Sequence, residues 1–242
     1  MTAALIELKD LAVRTHERFL VDGINMSVQP RRVTALIGPS GAGKSLTARC
    51  CMGVIDVVPG LVRGELRYPA ADPDRDWYEG VRGGGAEAHA ELLESTRHLR
   101  GGYFTYSPQA ASSALNPGRT IGRQLELAMA RRASMPVDVG LEIGSILRDV
   151  GLNPEVASAL PAALSGGMAQ RAALAIAVAP QPQLVIADEP ETGLDPVLRR
   201  TVVELLVDVC KGHGAGLLLI SHHEDTVRRI ADDVVRLPGV PV

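Results

Sequence analysis

Aromatic side chains are scarce in this 242-residue sequence, which holds one Trp, four Tyr and two Phe. So little ring surface argues against a protein that stacks on nucleic-acid bases. With a formal net charge of −3 the chain also lacks the basic excess of a phosphate-tracking surface, so no nucleic-acid partner is expected. No run of about 18 uncharged apolar residues occurs, and the N-terminus has no basic-then-apolar signal pattern; neither a membrane span nor secretion is expected. Cysteine is equally sparse. Cys50, Cys51 and Cys210 form no paired framework and no C-x-x-C motif, so buried thiols in a reducing cytoplasm are the expectation. Lysine is the last shortage: of 25 Lys and Arg residues, only Lys9, Lys44 and Lys211 are lysines. A lysine in a chemically special place therefore stands out.

What is present suffices for a core. Length predicts one large domain, or one with a subdomain, and 46% hydrophobic residues need no disulfide or metal staple. Residues 4–8, 11–14, 24–28 and 33–37 read as short strands. A helix is expected from Ser45 to about Gly53, with others at 121–133, 141–150, 166–179 and about 196–211. The all-apolar runs 184–187 and 217–220 fit parallel strands covered on both faces. Residues 70–98 hold a Gly83-Gly84-Gly85 run and a helix-like stretch, and read as a surface insertion. Pro238 to Val242 reads as a loose tail.

Gly38-Pro39-Ser40-Gly41-Ala42-Gly43-Lys44-Ser45 satisfies G-x-x-x-x-G-K-[ST] between an apolar strand and a helix. Glycines let successive backbone N–H groups turn inward around phosphate oxygens. Lys44 would supply a cation to the β- and γ-phosphates, and the Ser45 hydroxyl would coordinate Mg²⁺. Further on, Leu184-Val185-Ile186-Ala187-Asp188-Glu189 is an apolar strand ending in two carboxylates, at the edge where α/β sheets bind ligands. Asp188 would hold Mg²⁺ through water, and Glu189 would polarise a water against the γ-phosphate. Leu164-Ser165-Gly166-Gly167-Met168-Ala169-Gln170-Arg171 adds a second helix N-terminus open to an oxyanion; an ordinary capped helix after a glycine turn uses the same residues. The residues alone stop at a Mg-nucleotide hydrolase.

Taken together, LSGGMAQR, LVIADEP and GPSGAGKS resemble the nucleotide-binding ATPase subunit of an ATP-binding cassette (ABC) transporter. Gln109 in Tyr106-Ser107-Pro108-Gln109 resembles the Q-loop glutamine, Gly193-Leu194-Asp195 the D-loop, and His222 after Leu218-Leu219-Ile220-Ser221 the switch histidine. The likeness spans about residues 4–237, with its motifs in the family's order. It implies an α/β fold over 1–242: a P-loop domain with a RecA-like core, an antiparallel β subdomain and a helical subdomain at about 110–178. It implies ATP and Mg²⁺ as cofactors. Two such domains would close head to tail, the phosphate loop of one (Gly38 to Ser45, with Leu46) facing Ser165, Gly166, Gly167, Gln170 and Asp195 of the other. Glu189, His222 and Gln109 would serve catalysis, and Ser45, Gln109 and Asp188 the metal. His223 competes with His222 and is read instead as a helix-start residue.

Ser113-Ala114-Leu115-Asn116-Pro117 and Met168 resemble the oligopeptide/dipeptide/nickel importer branch, closest to nickel importer ATPase subunits. That branch implies two membrane permease subunits, a second and different ATPase subunit, an extracytoplasmic solute-binding protein and a place on the cytoplasmic face of the membrane. The alternatives are a soluble ABC ATPase of DNA repair or translation, or the energy subunit of an exporter. Two departures stand out. Thr15 and His16 occupy the place where the family often has an aromatic against adenine, with Phe19 nearby. The 242 residues include no match to the cysteine-bearing C-terminal extension that peptide importers often carry, so regulation through such an extension is not expected.

Overall fold

The computed structural model describes residues 3–109, 114–192 and 196–238. Ser113, the expected D-loop with Asp195, and residues 239–242 of the expected tail lie outside the described residues. The elements run β1 (Ile6–Thr15), β2 (Phe19–Val28), β3 (Val33–Ile37), α1 (Lys44–Cys50), β4 (Pro59–Arg67) and α2 (Gly85–Ser95). They continue with β5 (Phe104–Ser107), α3 (Ile121–Met129), α4 (Val139–Asp149), α5 (Gly166–Val178) and β6 (Leu184–Asp188). Last come α6 (Pro196–Gly212), β7 (Gly216–Ile220), α7 (Glu224–Ile230) and β8 (Asp233–Arg236). Two compact units result: Met1–Arg100 with Gly216–Val242, and Gly101–Ala215.

In the first unit β2, β1 and β4 form an antiparallel sheet in that order. The stretches 4–8 and 11–14 belong to one strand rather than two. Between them Lys9 and Asp10 are exposed, Asp10 has φ 47°, and the pairing with both neighbours shifts register there. That bulge turns a charged pair outward without ending the strand. β4 was not anticipated, because Pro59, Gly60 and Gly64 read as turn residues. At Gly64, with φ +130°, an added Cβ would lie 3.0 Å from the Leu11 Cα; glycine allows the close approach to the bulged strand. β3 lies between β7 and β8, parallel to both. Its residues VTALI and the GLLLI of β7 are buried throughout, which is why neither strand alternates polar and apolar.

Residues 70–98 contribute buried side chains to this unit, among them Trp77, Tyr78 and Leu92. The hydroxyls of Tyr78 and Tyr68 donate to the carbonyls of Cys50 (3.0 Å) and Cys51 (2.7 Å), closing the end of α1. Burial pushes the Cys50 thiol up to about 12 and Cys51 higher still, so both stay protonated and non-nucleophilic.

In the second unit β5 and β6 pair in parallel. The helices α3, α4 and α5 begin at or within two residues of their expected starts, α3 ending at Met129 rather than at 133, and each is opened by a side-chain cap. Thr120 accepts from Arg123 N, Asp138 from Leu141 N and Ser165 from Met168 N. Arg132, just past α3, is buried with 7% of its side chain exposed. Its Nε donates to the Ala179 carbonyl at 2.6 Å and its guanidinium reaches Glu142 Oε1 at 2.8 Å, tying the ends of three helices together. Cys210 is buried here, its thiol pushed up to about 12 by desolvation.

Candidate functional site

In the first unit β3 delivers the chain directly into the glycine loop. Gly43, at φ +85°, precedes α1, and an added Cβ there would meet Val21 Cγ1 at 2.2 Å and the Leu20 carbonyl at 2.8 Å. The last loop glycine is therefore demanded twice, by its left-handed backbone and by β2 passing against it. Lys44 is buried, its Nζ donating to the carbonyls of Gly38 (3.0 Å) and Pro39 (3.1 Å). The one lysine of the loop is thus folded over its own turn, with the charge held at the loop's centre. Ala42 and Leu46 are buried anchors, whereas Pro39, Ser40, Gly41 and Ser45 are exposed. Thr47 bonds back to the Gly43 carbonyl at 2.9 Å and fixes the first turn of α1.

His222 comes to the same place. It follows β7 and the fully buried Ser221, whose Oγ accepts from His223 N at 3.0 Å. A cavity of about 360 Å³ is walled by Gly38, Pro39, Ser40, His222, Glu224 and Arg236. His223 is the N-cap residue of α7, the helix-start position expected of it, with its ring 4.0 Å from that of His222. Across the mouth Arg236 donates to Glu224 at 2.9 Å and Arg228 to the other Glu224 oxygen at 3.2 Å. The hydrogen bond from Arg236, then that from Arg228, holds the Glu224 carboxyl below its ordinary range.

In the second unit the fully buried strand β6 ends at Asp188. The chain then turns sharply: Glu189 has φ 44°, left-handed for a residue with a long side chain. Glu189 Oε2 accepts from Gln109 Nε2 at 3.2 Å and from Thr192 Oγ1 at 3.2 Å. Gln109 and Glu189, 80 positions apart, are therefore brought into contact. Asp188 Oδ2 accepts from the Tyr106 hydroxyl at 2.9 Å. Neither Tyr106 nor Thr192 was singled out from sequence; the signal available for Tyr106 was a rare aromatic placed three residues before Gln109.

The Ser165 segment also lies in this unit. Met168 N donates to the capping Ser165 Oγ at 3.3 Å. A Cβ added at Gly166 or Gly167 would meet nothing within 4 Å, so packing within the described residues does not require glycine at either. Gln170 is buried and spends its amide on the Pro190 carbonyl at 2.9 Å, fastening α5 to the turn after β6. Near Arg14, whose guanidinium lies 5.4 Å from the Phe19 ring centroid, the first unit holds its aromatic closest in sequence to the loop.

A family model described as ABC transporter matches residues 21–192. A peptidoglycan transport ATP-binding protein of Agrobacterium fabrum is 33% identical over 240 residues, covering 96% of this chain but 41% of that protein. A nickel import ATP-binding protein of Rhodospirillum rubrum is 33% identical over 237 residues, covering 95% of this chain and 82% of that protein. The chain thus spans less than half the length of the first relative. A solved structure of an ATP-binding subunit of an ABC transporter superposes with a TM-score of 0.72 at 27% identity, over 96% of this chain and 85% of that one.

Proposed function

The chain belongs to the ABC transporter family, and from that premise we propose that it binds and hydrolyses ATP to energise a membrane importer for nickel, a metal chelate or peptides. The observation that carries this reading is the phosphate loop. A buried lysine sits over a turn whose outer wall, Pro39 to Gly41, faces open space. Phosphate oxygens arriving at that wall meet backbone N–H groups and an ammonium already in place, so little reorganisation is needed on binding. Lys44 would then exchange the carbonyls of Gly38 and Pro39 for the β- and γ-phosphates.

The remaining roles are those the family resemblance implies, and donor chemistry is compatible with them. Ser45, Asp188 and Gln109 offer hydroxyl, carboxylate and amide oxygens, the hard donors Mg²⁺ prefers. Mg²⁺ bound there would neutralise charge on the transferring phosphate. Glu189 would take the proton of the attacking water, oriented by Gln109 and Thr192, while His222 contacts the γ-phosphate. Gly166 and Gly167, which packing among the described residues does not require, would leave room for the γ-phosphate held by a second ATPase subunit, with Ser165 and, by the resemblance, Asp195 serving the same composite site. On this reading Gln170 supports the segment from behind.

No helix among the described residues is long and apolar enough to cross a membrane, so passage and cargo choice would fall to two permease subunits and an extracytoplasmic solute-binding protein. The chain would sit on the cytoplasmic face. A pull-down from membrane extract is expected to recover two permeases and a second, different ATPase; recovery of this ATPase alone with permeases refutes the heterodimer.

Base selection is expected to be weak. A stacked ring is worth about 0.5–1.5 kcal/mol, and Thr15 and His16 stand where such a ring is common. Phe19 already has Arg14 close to its ring. ATP and GTP should therefore be hydrolysed with kcat/KM values within about tenfold of each other. A preference for ATP of a hundredfold would reveal an adenine contact that this reading lacks.

A further inference from the structure

We propose that Tyr106 is a positioning residue for Asp188, and so sets how tightly the site takes Mg²⁺ once nucleotide is bound. The inference rests on the assignment of Asp188 to the metal made above, and adds to it a residue outside the phosphate-binding motifs. Strand register carries it. In the parallel pair β5–β6, Tyr106 lies beside Ile186. Side chains alternate along a strand, so Asp188, two residues beyond Ile186, projects to the same side as Tyr106. Two residues of strand span about 6.6 Å, a gap that a tyrosine side chain bridges and a shorter hydroxyl side chain does not. The phenol does so, donating to Asp188 Oδ2 at 2.9 Å.

The physical consequence is orientational. Asp188 is buried, with 4% of its surface exposed, and ends the last residue of β6 where the backbone turns into the left-handed Glu189. A carboxylate there could rotate about its side-chain bonds. With Oδ2 tied to a phenol rooted in the neighbouring strand, that rotation is restricted before the ion arrives. Gln109 and Thr192 do the equivalent for Glu189. Tyr106 thus donates to one carboxylate, and Gln109 and Thr192 to the other.

Tyr106→Phe removes one oxygen from this arrangement and keeps the ring. The test uses the full chain with trinitrophenyl-ATP as the probe, its fluorescence followed at equilibrium without Mg²⁺ and across a Mg²⁺ titration. A lost hydrogen bond to a charged acceptor predicts a half-saturating Mg²⁺ concentration about tenfold higher. Affinity for the probe without Mg²⁺ should match the unaltered chain, and hydrolysis of ATP should recover at high Mg²⁺. An unchanged or lower Mg²⁺ requirement overturns the proposal, the latter because the phenol would then merely compete with the ion. A parallel fall in Mg²⁺-free affinity also overturns it, since it marks general damage to the site. Asp188→Asn separates the two levels. If that variant takes up Mg²⁺ normally, the assignment of Asp188 fails; if it is impaired while Tyr106→Phe is normal, only the role of Tyr106 fails.

Discussion

Glu189→Gln is expected to lower steady-state ATP hydrolysis by about 10²–10⁴-fold, the usual contribution of a general base, while ATP binding persists. Glutamine matches glutamate in size and can still accept at its carbonyl from Gln109 and Thr192, both of which converge on Oε2. What it cannot do is take a proton. Backbone strain does not confuse the comparison, because glutamine is as uncomfortable at φ 44° as glutamate is. The loss should therefore appear in kcat, with nucleotide affinity and thermal midpoint close to those of the unaltered chain. Equilibrium binding and initial-rate hydrolysis on one preparation make the measurement. Turnover at the unaltered rate would remove Glu189 from the reaction.

The second large effect concerns stability. Glu142→Ala should destabilise the chain by about 2–4 kcal/mol, because it leaves the Arg132 guanidinium charged and buried without its carboxylate. The partners differ in exposure, with 7% of the Arg132 side chain and 29% of Glu142 reached by solvent. The burden therefore falls on the arginine. The Ala179 carbonyl at 2.6 Å satisfies one N–H but neutralises nothing. At about 2–4 °C per kcal/mol for a protein of this size, the thermal midpoint should fall by about 5–15 °C. Arg132→Met, which removes the charge and fills much of its volume, should cost clearly less. A Glu142→Ala midpoint within 2 °C of the unaltered chain, as for an exposed ion pair, contradicts this account.

What could be read ahead of the structure was whatever a short stretch of chain decides for itself. The phosphate loop, the cap at Ser165 and the buried runs at 184–187 and 217–220 depend on local spacing, and all stand where expected. β4 escaped notice because its glycines serve a neighbour, with Gly64 making room for Leu11 more than 50 positions away. β8, DVVR, was too short to show a period and owes its place to pairing with β3. The site divides the same way. Lys44 and Asp188 announce themselves by motif. The bond from Tyr106 to Asp188 depends on which residues two parallel strands set side by side, and the contact between Gln109 and Glu189 depends on the same pair of strands. Neither relation is written in any window of consecutive residues.

The left-handed backbone at Glu189 has a bearing on how this protein could be altered. A residue with a β-carbon is held there at a cost of about 1–3 kcal/mol, a conformation that asparagine or glycine would adopt more comfortably. A laboratory screen rewarding heat resistance alone would thus drift toward replacing the very side chain on which turnover is expected to depend. The position is one to hold fixed in any library, and one where a stabilised descendant with no activity should be looked for first.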